Sequence, residues 1–274
     1  MKRVATIILN RNLPEPTEKL YEYIYDNENE LTDIFVVEAG SDKERLSKYC
    51  TWHVTKDDAI KKGLRYCRGM NYALIKLKLH QNYEDYDAFF LLTNDTILCQ
   101  KNTIKKLIDI LDNHKHLGII SPCSEKWGEK DLLIEEKTKY FWFIHNNALM
   151  LRKDFIEDVA IRKNPNYINY FFDGNNFRGF LSESEIIAKA YANNWAAGVT
   201  TSVFAEENES YLLNNSDLIK TETYEENLKL YLEEGLQWIK DKYGFNSHWT
   251  MHQYVKSFYD GFFDYYPEYL KYKI

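Results

Sequence analysis

The chain has 274 residues, enough to bury a sizeable core as one large domain or as one domain with an appended helical piece. A formal charge of −7 and a pI near 5.6 argue against nucleic acid as the main partner, because backbone binding needs clustered Lys and Arg. No apolar stretch reaches the ~18 residues of a spanning helix, the opening MKRVATIIL is too short for a secretory signal, and four scattered cysteines form no Cys-x-x-Cys, so a cytoplasmic protein with reduced thiols is expected.

In chain order, residues 4–9 read as a strand that runs into a loop, 10–16, held by two prolines. A helix is expected from Thr17, with Leu20 and Ile24 on its buried face. Residues 34–37 form the next strand and end in Glu38-Ala39-Gly40-Ser41-Asp42, and residues 51–55 alternate as a third. Residues 58–79 are largely helical, interrupted near Gly63 and Gly69. Between Lys61 and Lys78 this segment carries six basic residues and no acid, either to face phosphates or as a solvated helix face.

Residues 88–98, AFFLLTNDTIL, run five apolar residues straight into Thr93-Asn94-Asp95-Thr96, the pattern of a fully buried parallel strand whose exit meets a ligand or forms a turn. A helix over 101–113 places Ile104, Leu107, Ile108 and Leu111 at helical spacing, and 117–121 is again a strand. The second half predicts a long strand over 140–151, helices over 153–159 and 182–193, and a strand over 195–204. From about Tyr224 the chain turns helical, with Leu228, Leu232, Leu236, Tyr231 and Ile239 on one face.

This strand-helix-strand rhythm implies an α/β fold with a doubly wound, mostly parallel sheet and right-handed crossovers. The expected division is 1–121, 122–210 and, as a helical, aromatic-rich extension, 211–274. That extension either packs on its own domain, the default, or forms a homodimer contact, or rests at a membrane surface; it carries no polybasic cluster for anionic lipid. In a parallel sheet, Asn10-Arg11-Asn12, Glu38 to Asp42 and Thr93 to Thr96 all arrive at one edge, where such sheets bind ligands. The dinucleotide Gly-x-Gly-x-x-Gly, the P-loop and the Gly-x-Ser-x-Gly elbow are all missing.

From these segments the sequence resembles the family 2 glycosyltransferases, with their GT-A fold, over roughly residues 4–204. EAGSD at 38–42 is similar to the family's Asp-x-Gly-Ser-x-Asp segment, with Glu38 in the place of the acid on the nucleotide base and Gly40 and Asp42 beside it. RGMNYAL at 68–74 resembles the Arg/Gly-rich segment, bringing Arg68 and Asn71 to the donor. TNDT at 93–96 resembles the Asn-Asn-Asp-Thr metal motif of rhamnosyltransferase-like members, and NNALMLRKDF at 146–155 the strand and helix start on the acceptor side.

The resemblance implies that Asp95 binds Mg2+ or Mn2+, with Thr93 in place of a first acid and Asn94 at the donor, and that Glu206 stands where relatives carry a late histidine. Arg11, Arg68 and Lys62 are phosphate candidates. ESEIIAKAYANNW at 183–195 aligns with the family's Asp-Val-Asp-Leu and following helix, which puts Glu183 in the place of the base that deprotonates an acceptor hydroxyl; Glu185 orients or caps. Trp142, His145 and Phe180 lie near segments that frame the acceptor in this family, and Asp173, in the glycine-bearing polar stretch 171–180 expected to loop over the site, is a secondary acid candidate on the acceptor side.

The implied activity is inverting transfer from a UDP-, dTDP- or GDP-sugar to a glycan or lipid-linked hydroxyl, in polysaccharide or glycan assembly. A nucleotidyltransferase would want a Gly-rich basic loop after the first strand, and residues 10–16 contain no glycine. A non-catalytic carbohydrate-binding or partner-binding module remains the third reading, since Thr93 replaces an acid.

Overall fold

The computed structural model describes residues 3–80, 83–144, 147–219 and 222–274. Strand β1 (Val4–Asn10) leads through helix α1 (Pro14–Glu28) to β2 (Thr32–Glu38) and a short β3 (Cys50–His53). Then follow α2 (Asp57–Lys62), α3 (Arg65–Lys78), β4 (Ala88–Thr93), β5 (Thr96–Leu98), α4 (Thr103–Asn113) and β6 (Leu117–Cys123). The second half contributes β7 (Thr138–Tyr140), β8 (Ala148–Arg152), α5 (Lys153–Val159), α6 (Ser182–Ala192) and β9 (Ala196–Glu207). Four helices close the chain: α7 (Glu209–Asn214), α8 (Ser216–Ile219), α9 (Tyr224–Tyr243) and α10 (His248–Tyr265).

The strands form one sheet in the order β3-β2-β1-β4-β8-β6-β9-β5, with β7 also on β9. Strands β3, β2, β1 and β4 are mutually parallel, as are β6 and β9, whereas β8 runs antiparallel between β4 and β6. Helices cover both faces of the central strands, so Ala88 to Leu92 are all buried, and this explains an unbroken apolar run where alternation would mark a one-sided sheet. The carboxyl ends of β1, β2 and β4 therefore meet at one edge. Beyond its pairing with β6, β9 continues to residues 205–207, where it pairs antiparallel with β5 and closes that edge.

Several boundaries differ from the sequence reading for identifiable reasons. Helix α1 starts at Pro14 rather than Thr17, since a proline in the first turn lacks only an N–H that no helical carbonyl would accept. The helical stretch after β3 breaks at Gly63, whose φ is +72°, but passes through Gly69, which packs on Leu9. The expected strand over 140–151 is two strands with different partners, because β7 pairs with β9 and β8 with β4 and β6. The intervening Phe141 and Ile144 are buried outside any strand, and apolar character alone does not separate these cases.

On α9 the leucine stripe faces outward: Leu228, Leu232 and Leu236 are 47%, 44% and 38% exposed. The helix instead buries Gly235, Trp238 and Ile239, with Tyr231 packed beside them, a set spaced by 3.6 rather than 4 residues. Helix α10 buries Met251, Val255, Tyr259, Phe262 and Phe263, and sets Tyr259 and Phe262 against Tyr191 of α6 at ring distances of 5.4 and 5.5 Å. The aromatic carboxyl end thus packs on its own chain. Among the described residues no helix is long and apolar enough to cross a membrane.

A Cβ at Gly235 would lie 2.3 Å from Cβ of Phe180. Gly235→Ala is expected to cost about 1–3 kcal/mol in urea unfolding through overpacking, and Leu232→Ala to change stability by no more than about 0.5 kcal/mol. The reverse ranking would mean that α9 docks by its leucine face.

Candidate functional site

The edge is organised by one buried carboxylate. Glu38, at the end of β2, accepts hydrogen bonds from Nδ2 of Asn10 at 3.0 and 2.9 Å, from the Ser41 hydroxyl at 2.5 Å and from the Ser47 amide at 2.8 Å. Asn10 in turn accepts from Nδ2 of Asn94 at 2.8 Å and from the Leu13 amide at 3.3 Å. Glu38, Asn10 and Asn94 end three adjacent strands, so the chain of bonds fixes their relative positions. It also commits the Glu38 oxygens to internal donors, and the neighbouring Ala39 lines the cavity at this edge instead.

The loops after β1 and β2 are bound to each other in the same manner. Asn12 donates to Asp42 at 3.1 Å and accepts from the Asp42 amide at 2.7 Å. Gly40 allows this approach: its φ is +83°, and a Cβ there would lie 1.9 Å from the Ala59 carbonyl oxygen. Arg11 donates to the carbonyls of Ala39, Ala59 and Ile60 at 3.1, 2.5 and 2.9 Å, neutralising the carboxyl end of α2. Arg68 bonds the Gly174 carbonyl at 2.7 Å, and Asn71 satisfies the backbone at Tyr167, Phe171 and Phe172. Arg68 and Asn71 therefore brace the 167–174 loop, and Lys62 stands exposed at the end of α2.

Asp95 lies in the turn between β4 and β5 and is 9% exposed. Burial raises its pKa, against the opposing effects of the Thr93 hydroxyl and its own backbone amide. Facing it is Glu207, whose residue pairs with Thr96 across β5 and β9 and whose pKa is raised by burial and then by Asp95. Glu206 is turned the other way: it accepts from the Ser124 hydroxyl and the Glu125 amide, each at 2.7 Å. Adjacent residues of a strand point to opposite faces, so Glu207 replaces Glu206 as the acid beside Asp95.

Among the described residues no group of three or more His, Cys, Asp or Glu side chains suited to a metal forms. Asp95 is instead a buried carboxylate whose charge raises its neighbour Glu207, which Lys126 partly offsets. That is an environment short of positive charge, and a hard divalent cation fits it.

Glu183 is the second residue of α6. Burial pushes its pKa up to about 7, against the lowering effect of its own amide and Ser182. Leu181, just before the helix, holds φ at +58°. Among the described non-glycine residues with positive φ, all but Leu181 and Arg65 are asparagines, the residue that tolerates this region best; both exceptions adjoin the site.

A cavity of about 410 Å3 opens at this edge, lined by Asn10, Thr93, Asn94 and Asp95 on one side and by Arg65, Tyr66, Arg178 and Tyr231 on another. The Glu183 carboxylate does not itself line this cavity, but it raises the pKa of both Tyr66 and Tyr231, after the larger effect of burial and, at Tyr66, of Cys67, which makes it an electrostatic neighbour of that second wall.

The acceptor-side residues take other positions. Asp173 accepts from Lys242 at 2.5 Å and Trp238 at 3.1 Å; burial would raise its pKa, but these bonds outweigh it and hold the carboxyl below its usual range. Glu185 shares Lys242 at 2.5 Å and takes the Tyr243 hydroxyl at 2.9 Å. Together they anchor α9. Phe180 packs under Tyr231 at 5.1 Å, and Trp142 lies 5.9 Å from His252; neither lines the cavity, and His145 lies outside the described residues. Sequence reasoning missed Arg65, Tyr66, Arg178, Tyr231 and Glu207. The basic run of 61–78 contained the signal for Arg65, and strand alternation that for Glu207.

No family model matches the sequence, and no curated protein matches it. Solved structures share the fold. S. aureus TarS, residues 1–349, aligns at a TM-score of 0.52 and 12% identity over 88% of this chain and 73% of that one. Glucosyl-3-phosphoglycerate synthase from Mycobacterium tuberculosis, in complex with Mn2+, UDP-glucose and phosphoglyceric acid, aligns at 0.52 and 9% identity over 90% of this chain and 82% of that one. The architecture is GT-A-like.

A carboxyl with its folded pKa raised to about 7 keeps a proton that the unfolded chain releases near 4.5, so the fold loses stability as pH climbs through that window. Glu183→Gln removes the penalty. Its melting temperature relative to wild type should rise between pH 4 and pH 8; a difference that does not change with pH contradicts the buried charge.

Proposed function

We propose that this chain transfers a sugar from a nucleotide-sugar donor to an acceptor hydroxyl, with inversion at the anomeric carbon. The observation that supports it is one cavity that Asp95 lines directly and that Glu183 adjoins from behind its lining tyrosines, Tyr66 and Tyr231, whose pKa values its charge raises. The GT-A-like fold agrees with this reading, as do the UDP-glucose and Mn2+ in the glucosyl-3-phosphoglycerate synthase complex.

Asp95 and Glu207 would hold Mg2+ or Mn2+, and such an ion supplies charge neutralisation for a departing nucleoside diphosphate. Asn10 and Asn94 fix the turn that carries Asp95. Glu183 takes the proton of the acceptor hydroxyl as its oxygen bonds to the anomeric carbon, while the bond to the diphosphate breaks on the opposite face and its electron pair leaves with the phosphate oxygen. A base with pKa near 7 is matched to this task, ionised at working pH yet basic enough to accept the proton. The glycan or lipid-linked acceptor and a role in polysaccharide assembly belong to the same reading.

Purified protein incubated with Mn2+ and a panel of UDP-, dTDP- and GDP-sugars should hydrolyse or transfer from at least one donor. Asp95→Ala and Glu183→Gln should each lower the rate by about 10²–10⁴-fold. In wild type, kcat/KM should rise with pH through about 7, and this limb should vanish in Glu183→Gln. Nucleotide binding without turnover of any donor would favour a binding module, and pyrophosphate release a nucleotidyltransferase.

A further inference from the structure

The second wall of the cavity contains an unusual charge arrangement. Oε1 of Glu222, just ahead of α9, is shared by two guanidinium groups: Nη2 of Arg65 at 2.7 Å and Nη1 of Arg178. All three are sequestered, with side-chain exposures of 9% for Glu222, 20% for Arg65 and 8% for Arg178. The arginines are close enough to repel each other, and Arg65 in turn repels Arg11. Arg178 also bonds Asn227 at 2.5 Å and lies 3.1 Å from Glu234 at the more exposed rim. Within the same wall, Nε of Arg65 and the Tyr66 hydroxyl are buried without a hydrogen-bond partner among the described residues.

Two guanidiniums on one carboxylate oxygen, with spare donors around them, fit a group with more oxygens and more charge than a carboxylate. A phosphoryl group offers both, and guanidinium forks match it bidentately. Before the segment that carries Glu222, the Leu218 carbonyl accepts from Asn12 at 2.7 Å.

We propose that Arg65 and Arg178, with Tyr66, form a phosphate subsite beside the candidate transfer centre, and that Glu222 is its internal stand-in, displaced when a phosphoryl group binds. The phosphate is either the donor's diphosphate or a phosphate on the acceptor. Both present the same chemistry to the arginines. The identity of the source rests on the transferase reading; the anion site itself does not.

Calorimetry without sugar donor or turnover tests it, using inorganic pyrophosphate, UDP, GDP and glycerol phosphate as probes in EDTA. Glu222→Gln removes the competing charge and should bind at least one probe roughly tenfold more tightly than wild type, a change of about 1.4 kcal/mol. Adding Arg178→Gln to that variant should abolish the gain. A gain confined to pyrophosphate and the nucleotides assigns the donor's phosphate; a gain confined to glycerol phosphate assigns the acceptor's.

Unchanged or weaker binding of every probe by a folded Glu222→Gln protein would overturn the proposal and leave Glu222 a structural clamp. Hydrogen exchange on wild type needs no variant: saturating pyrophosphate should speed amide exchange over residues 222–227 as Glu222 leaves, and slowed or unchanged exchange there would count against it. A protein that binds these anions but moves no sugar would keep this site and lose the transferase reading.

Discussion

The amide of Asn10 holds the candidate site together. It donates to the buried carboxylate at the end of β2 and accepts from the asparagine that follows β4, so three parallel strands that could slide by fractions of an ångström are pinned at their carboxyl ends. Because Asn94 is one of the pinned residues, the next residue, Asp95, is delivered to a fixed point in a buried turn. A carboxylate such as Glu38 is tolerated with no exposure because it accepts four hydrogen bonds from three donor groups; without them its burial would cost several kcal/mol. The same acid therefore serves the scaffold and, through it, the site.

Charge is distributed unevenly around the cavity. On one side burial raises Asp95, whose charge in turn raises Glu207 just outside the lining; on the other, Arg65 and Arg178 converge on one carboxylate, so that side holds an excess of positive charge. Glu183 lies near the second side with its proton affinity shifted toward neutrality. Leu181 and Arg65 occupy backbone conformations that cost such residues of the order of 1 kcal/mol or more; Arg65 lines this cavity, and Leu181 immediately precedes the helix that carries Glu183. The extension contributes directly, since Leu212, Asn227 and Tyr231 complete the lining and Lys242 ties α9 to Asp173 and Glu185. Residues after 210 are thus part of the cavity wall.

Much of the first half was legible in the sequence because its signals are strong and local. The apolar run 88–92, the polar exits at Asn10, Glu38 and Thr93, and the amphipathic α4 each follow from burial on a parallel sheet, and the doubly wound arrangement follows from their order; the GT-A-like character was what the motif resemblance implied. The sequence could not distinguish a polar residue that faces the ligand edge from one that braces it. Arg11, Arg68 and Asn71 are spent on backbone carbonyls and amides, and Asp173 on docking α9. The choice between Glu206 and Glu207 depends on the pairing of β9 with β5, a three-residue strand after a turn, too short to announce itself. Arg178 and Glu222 meet only because α9 folds back over the cavity, a long-range contact that periodicity does not encode.

The central claim is that Asp95 and Glu183 serve one reaction from two sides of one cavity. Its most direct test is a crystal of this protein grown with Mn2+ and a nucleoside diphosphate, with the metal located by its anomalous signal. The account predicts manganese bound to Asp95, with the diphosphate between it and the Arg65, Arg178 and Glu183 side of the cavity. Manganese and nucleotide bound at another surface, with Asp95 free of both, would contradict it.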